Sequence, residues 1–322
     1  MAKVKDLIFL GTGTSGSLPN IYCLTAPVPE CEVCLSAVGR TPKDPPLADP
    51  STPALLPSSV AFTSKNRRRN TSAIVRYMHS DGMMRTVVID CGKTFYDSAL
   101  EFFVYHKLRR IDAVILTHGH ADAYLGMDDL RQWTLGGAQA SVQDSIPVYL
   151  TSETMKAVQG AFPYLVNRNA ATGGGQVSSL DFHIIDPNQP FMIEELQVTP
   201  IPVHHGRAGS EPYYSLGYRF ENLTYISDTN YIPPESMQLI MGTKVLVLDA
   251  LSEFEHASHF SINQAITAAL QIVPEQLFLT DFAHRVDHDR LNRRLESHEG
   301  LLAAGIRAEA AFDGLKVVIN EH

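Results

Sequence analysis

An apolar run, Ile111-Asp112-Ala113-Val114-Ile115-Leu116-Thr117, ends directly on His118-Gly119-His120-Ala121-Asp122. Such a run reads as a buried strand, so the chain must fold with a strand end that delivers two imidazoles and a carboxylate to one place. Side chains alternate along an extended segment, which puts His118 and His120 on one side, with Asp122 following the turn. Neutral imidazole and carboxylate together suit zinc or manganese. An open coordination position on such an ion lowers the pKa of a bound water towards ~7 and makes hydroxide near neutrality. A strand end with two exposed histidines is the plainer reading, and it loses weight because other strands end in the same way.

That recurrence organises the chain. Strands are expected at Leu7 to Leu10, Ser72 to Tyr77, Thr86 to Asp90, near Val148 and Phe182, and at Tyr214 to Phe220. Leu196 to Pro202 leads to Val203-His204-His205, and Leu223 to Ile226 leads to Ser227-Asp228-Thr229. Lys244 to Leu248 runs into Asp249, and Gln276 to Thr280 runs into Asp281. Apolar spacing predicts helices at Phe95 to Lys107, after Gly126 with Leu130, Arg131 and Trp133, at Ser261 to Ile272, and at Leu291 to Ala304.

Composition narrows the class. With 322 residues, 44% of them hydrophobic and 19% charged, one large core is feasible, and no apolar run approaches the ~20 residues that cross a membrane. The stretch Leu7 to Leu10 is too brief for a secretory signal, so a cytosolic protein is expected. A formal net charge of -9 argues against bulk binding to nucleic acid, whose phosphates are held by dense Lys and Arg. The one basic cluster, Lys65 to Arg69, faces either an anion or solvent, with solvent expected for most of its side chains. Gly11-Thr12-Gly13-Thr14-Ser15-Gly16 matches a dinucleotide fingerprint formally, but no amphipathic helix follows it. It reads as a tight loop beside the active site. Residues 36–70, with six prolines between Pro42 and Pro57, read as a surface insertion within a single domain spanning 1–322.

The Gly-rich first loop, Thr117-His118-x-His120-x-Asp122 after a strand, the later His205, Asp228 and a terminal ligand turn resemble the metallo-β-lactamase superfamily, over nearly the whole chain. Within it, the chain is similar to the PhnP-type cyclic phosphodiesterases. That likeness rests on Gly11-Thr12-Gly13, Cys23, Cys31 and Cys34, Leu130-Arg131, Val203-His204-His205, Ser227-Asp228-Thr229 and Leu279-Thr280-Asp281-Phe282-Ala283-His284. The resemblance implies an α/β fold, a four-layer αββα sandwich with its metal site at one edge of two packed sheets. It implies that His118, His120 and His205 bind a first metal, that Asp228 bridges two metals, and that Asp122 binds the second. The chain departs from the pattern at Ala123, where the family has His, and at Asp281, which stands for the family's final His. Both changes fall on the second site, which should be weaker or prefer Mn²⁺ while the first takes Zn²⁺.

The resemblance also implies a structural zinc on Cys23, Cys31, Cys34 and His284, although the gap from Cys23 to Cys31 is longer than in the family. A disulfide is the competing reading, disfavoured in a cytosolic chain. Cys91 reads as a small buried residue. His259 resembles an active-site histidine of the family that holds a phosphoryl oxygen or protonates the leaving oxygen, with His256 its solvated neighbour. His204 stands behind His205. Arg131 either orients substrate or makes a structural ion pair. His288 either shares a helical face with His284 and points at the site, or is an ordinary surface residue. The implied function is a metal-dependent phosphodiesterase that cleaves a small or cyclic phosphate ester through metal-bound hydroxide, with catalytic roles for Asp122 and His259. Thioester, lactone or RNA hydrolysis on the same scaffold stays open, as does a non-catalytic metal-binding or cofactor-carrier protein with a decayed second site. A homodimer is among the assemblies open to such a chain.

Overall fold

The computed structural model describes residues 2–28, 30–46, 49, 52, 64–135, 141–170 and 176–320. In chain order its strands are β1 (Lys3–Gly11), β2 (Ser72–Met78), β3 (Met84–Ile89), β4 (Ala113–Ile115), β5 (Ile146–Leu150), β6 (Leu180–Ile184) and β7 (Phe191–Ile193), followed by β8 (Leu196–Ala208), β9 (Glu211–Phe220), β10 (Leu223–Ile226), β11 (Val245–Asp249), β12 (Gln276–Thr280), β13 (Arg307–Ala310) and β14 (Lys316–Val318). They form two sheets, in the orders β14-β1-β2-β3-β4-β5-β6 and β13-β12-β11-β10-β9-β8-β7.

Alternation along the strands decides the layering. In β1, Leu7 and Phe9 enter the core between the two sheets, while Ile8 and Leu10 face outward against helices. In β11, Val245 and Val247 point inward, and Leu246 and Leu248 pack on the helices of the other outer face. Strands buried on both faces have to be apolar at every position, which is why these segments read as continuous runs. The outcome is the expected αββα sandwich.

Each sheet starts antiparallel and ends parallel: β3 to β6 run parallel in one, β10 to β13 in the other. Parallel neighbours need crossovers, and helices supply them. Phe95–Tyr105 links β3 to β4, Ser152–Ala161 links β5 to β6, and Ile262–Ile272 links β11 to β12. The last of these begins with a capping box in which Ser261 and Gln264 satisfy each other's backbone N–H groups. Within each parallel half, the C-terminal ends all face one way. Asp90, His118, Asp228, Asp249 and Asp281 therefore lie at or just beyond strand ends, as ligand residues do in open α/β sheets.

Several expected elements differ in extent. The strand before His118 pairs only over Ala113–Ile115. The strand expected at Leu196 to Pro202 runs on through His205 to Ala208, with a register shift between His204 and Arg207. The helix expected at Leu291 to Ala304 is two helices, His288–Glu296 and Glu299–Ala303, because the His298 side chain accepts from Leu301 N and caps a new start. After Gly126 come a 3-10 turn, Met127–Leu130, and one α turn, Arg131–Thr134.

Of the Pro-rich stretch, residues 47, 48, 50, 51 and 53–63 lie outside the described residues. Its end turns inward, which corrects the expectation of a solvated basic cluster. Arg68 is fully buried: its guanidinium donates to Val286 O at 2.8 Å and lies 4.7 Å from the Phe282 ring centroid. Arg69 is also buried, with Glu101 at 2.5 Å and Asp313 at 3.7 Å. A run of charge looks solvated in sequence, but a planar guanidinium can cap buried carbonyls and pair with buried carboxylates. The Gly-rich loop threads through the same region, with Gly13 N donating to Arg69 O and Thr71 N to Gly13 O. A Cβ on Gly11 would sit 1.9 Å from Asn70 O, so the glycine there permits close backbone approach and has no phosphate-binding part.

Candidate metal centres

His118, His120 and His205 present ring nitrogens that all lie within 4.8 Å of one another. Each ring is held by its surroundings. Thr117 Oγ1 donates to Asp90 Oδ2 at 2.7 Å and lies 2.8 Å from His118 Nδ1, whose N–H it can accept. That arrangement leaves His118 Nε2 as the lone-pair nitrogen, and it is buried with no hydrogen-bond partner. His205 Nδ1 is 2.8 Å from Ser258 O, so its N–H points there and Nε2 faces the cluster. His120 stacks on the Tyr213 ring at 4.7 Å, and its Nδ1 is 3.1 Å from His205 Nε2. Two nitrogens bound to one tetrahedral zinc at ~2.0–2.1 Å stand roughly 3.3 Å apart, so the spacing suits one shared ion. Burial pushes His118 down to about 3, and it lowers His120 and His205 as well, keeping the rings in the neutral form that binds metal.

Asp228 lies beside this cluster, its Oδ1 3.9 Å from His205 Nε2 and its Oδ2 accepting from Ser227 Oγ at 2.6 Å. Burial opposes its charge, but the charge of His259 and the Ser227 hydroxyl favour the carboxylate, which stays below the usual range. Asp122 is half-buried in the short turn Ala121–Tyr124 that follows His120. Among the described residues it joins no cluster of three metal-capable side chains. Burial first, and then Asp228, raise its carboxyl. Ala123 is buried and engaged only through its backbone, with Cys91 N donating to its carbonyl at 2.7 Å.

This turn rests on glycine. A Cβ on Gly92 would lie 1.7 Å from Asp122 O. We expect Gly92→Ala to push the His120–Asp122 turn away, costing about 2–3 kcal/mol as an overpacked site does. Thermal melting together with metal retention checks this: a variant with unchanged melting temperature and metal content would contradict it.

Asp281 does not sit in the histidine cluster. Its Oδ1 accepts from Thr71 Oγ1 at 3.2 Å, and its Oδ2 is 2.9 Å from His259 Nδ1. Asp249, which sequence reasoning placed at a strand end but gave no role, completes the arrangement: its Oδ2 is 2.9 Å from the same His259 nitrogen and accepts from Thr229 N at 2.8 Å. Both carboxylates are fully buried. Burial opposes a charge on His259 too, but the two carboxylates outweigh it and push the imidazole up to about 12. The signal for Asp249 was in the sequence, since β10, β11 and β12 are consecutive apolar runs that each end on or just before an aspartate. What selects Asp249 is the parallel register of β11 and β12. Tyr213, which stacks on His120 and accepts from Gly119 N at 3.3 Å, had no sequence signal.

A second cluster joins Cys23, Cys31, Cys34 and His284, with ligand atoms all within 4.8 Å. His284 Nδ1 is 3.3 Å from Cys23 Sγ and 3.6 Å from Cys31 Sγ. All four cysteines of the chain are free, and Cys91 is fully buried apart from this cluster. Burial raises the Cys23 and Cys34 thiols above the usual range. Three crowded sulfurs and one imidazole are the donor set of a closed tetrahedral zinc.

The remaining expected site residues take structural contacts. Arg131 donates to Gln176 O at 3.0 Å and lies 3.5 Å from Asp128. His288 opens its helix four residues after His284, so the two share no helical face. It is buried, 2.9 Å from Asn292 Nδ2, and packs edge-on against Phe312. His204 faces away from the cluster, against Tyr214 and Tyr231.

A family model described as beta-lactamase superfamily domain matches residues 85–282. A curated relative, an octanoyltransferase of Porphyromonas gingivalis (strain ATCC BAA-308 / W83), is 26% identical over 317 residues, which is 98% of this chain and 51% of the relative. The chain thus spans about half the length of that relative. Among solved structures, a diphosphatase of the PhnP family matches with a TM-score of 0.72 and 26% identity over 98% of both chains. Zn(2+)-bound PqqB from Methylobacterium extorquens matches with a TM-score of 0.65 and 16% identity, over 98% of this chain and 100% of that one. At that identity the second likeness concerns the fold alone.

Proposed function

The chain belongs to the beta-lactamase superfamily and carries its metallo-β-lactamase hydrolase fold, and from that premise we propose that it is a metal-dependent phosphodiesterase acting on a small or cyclic phosphate ester. The observation that carries the proposal is the histidine cluster: three neutral imidazoles, two of them fixed through their other nitrogen, converge beside a buried, ionised Asp228. His118, His120, His205 and Asp228 would hold the ion, zinc or manganese. Bound there, it would lower the pKa of a coordinated water towards ~7 and draw charge from a phosphoryl oxygen. The phosphate class comes from the likeness to the PhnP-family diphosphatase.

The chain's own groups have separable tasks in this proposal. Asp90 and Thr117 fix the tautomer of His118, and Ser258 O fixes that of His205. His259 Nδ1 is engaged by carboxylates, so Nε2 is the nitrogen left to donate a proton to the departing oxygen. A cavity of about 780 Å³, lined in part by Thr117, Tyr213, Tyr214, Leu216 and Ser236, shares Thr117 and Tyr213 with the surroundings of the cluster and has room for the organic part of an ester. The cysteine cluster would hold a structural zinc, and its free thiols support a reducing compartment such as the cytoplasm.

The test is hydrolysis of bis-p-nitrophenyl phosphate and of an acyl thioester by the purified protein, with Mn²⁺ or Zn²⁺ and with a chelator. Chelator-sensitive turnover of the diester and none of the thioester is the expected outcome. Turnover of the thioester alone would overturn the proposal.

A further inference from the structure

We propose that the catalytic centre holds a single metal ion, and that Asp249 and Asp281 serve as a clamp on His259 and do not ligate a second ion. The inference rests on the proposed hydrolase reading, and it follows from asking which donor atoms could build a second position around Asp228.

Ala123 offers a methyl group. Asp122 joins no group of three metal-capable atoms mutually within 4.8 Å among the described residues. Asp281 Oδ1 accepts from Thr71 Oγ1 at 3.2 Å, and its Oδ2, without a hydrogen-bond partner among the described residues, lies 2.9 Å from His259 Nδ1. Asp249 Oδ2 is held by Thr229 N and His259 Nδ1. On the side of Asp228 away from His118 and His120, no second carboxylate joins it in a group of three donors among the described residues. The side chain found there is His259, grouped with His205 and Asp228 within 4.8 Å on one side and with Asp249 and Asp281 within 4.8 Å on the other. An ion between Asp228 and Asp281 would have to displace the imidazole ring or break its hydrogen bond.

The clamp gives His259 a positioning task for its two partners. Asp249 and Asp281 sit at the ends of adjacent parallel strands in register, Asp249 opposite Thr280, so the sheet sets their spacing. Both are fully buried, and their remaining contacts are to Thr71 and Thr229, residues of the scaffold. A ring held at one nitrogen by two groups on a rigid sheet keeps Nδ1 inward and Nε2 outward. Asp281 therefore positions, where an imidazole at the same place would ligate.

The test counts ions. Protein saturated with Zn²⁺ or Mn²⁺, desalted and measured by inductively coupled plasma mass spectrometry, should carry about two ions per chain, one lost in His118→Ala and one in Cys31→Ser. Asp281→Asn, which keeps shape and burial, should leave that count unchanged. The manganese-loaded centre should give the six-line spectrum of an isolated Mn²⁺ in electron paramagnetic resonance. About three ions per chain, a count lowered by Asp281→Asn, or the multiline spectrum of an exchange-coupled pair would each overturn the inference. Turnover is read separately: two ions without diester hydrolysis would sink the proposed function and leave this inference standing, and three ions with hydrolysis would do the reverse.

Discussion

Replacing His118 with alanine is expected to lower phosphodiester turnover by about 10³-fold or more, equivalent to about 4 kcal/mol of transition-state stabilisation. The loss should come through kcat and through metal content together. His118 is 2% exposed, its Nε2 has no protein partner, and its Nδ1 is fixed through Thr117 to the buried Asp90. Truncation also leaves a cavity, so melting temperature has to be measured beside activity. His204→Ala is the matched control: one residue from His205 on the same strand, it packs against tyrosines on the other face and should change turnover by less than about threefold. Equal losses in the two variants would place the effect in folding and remove the case for the histidine cluster.

Replacing Cys31 with serine should act on stability first, lowering it by about 3 kcal/mol or more and the melting temperature by roughly 6–12 °C. The cluster ties residues 23–34 to His284, 253 positions beyond Cys31. Burial raises the Cys23 and Cys34 thiols, so these two ionise only with a cation to receive the sulfurs. Metal binding there is then coupled to release of protons and to closure of a very long loop. The expected record is one zinc lost per chain, a lower melting temperature, and residual turnover in the fraction still folded. Unchanged zinc content and melting temperature would show that the four residues hold no structural ion.

The parts of the fold that were legible from the chain are those where local chemistry is unambiguous. Val245 to Leu248 and Leu277 to Leu279 read as buried strands, because a run apolar at consecutive positions has no solvent face. The helix expected at Ser261 to Ile272 is kept, and the structure starts it on the capping box of Ser261 and Gln264. The basic cluster misled for a related reason. Arg68 has the same side chain whether it meets water or the carbonyls of Ala283 and Val286, and those carbonyls lie more than 200 positions away. The last helix misled through His298, whose side chain caps a new helical turn where propensity alone would continue the old one.

The sequence by itself determined the buried strands and the strand ends that carry His118, His120 and Asp228, since residue type and local spacing are enough to specify these, whereas the four-layer sandwich and the cysteine cluster with its distant His284 were implied by the family resemblance. Only the tertiary structure decided what Asp281 does. An aspartate at a strand end is equally fit to ligate a metal or to hold an imidazole, and the difference is made by its neighbours. The parallel register of β11 and β12 places Asp249 beside it, and the loop before the helix at Ile262 brings His259 to within 2.9 Å of both. Carboxylates that close, buried away from water, are stable only with a shared positive partner, and which partner they receive is set by packing between segments that are distant in the chain.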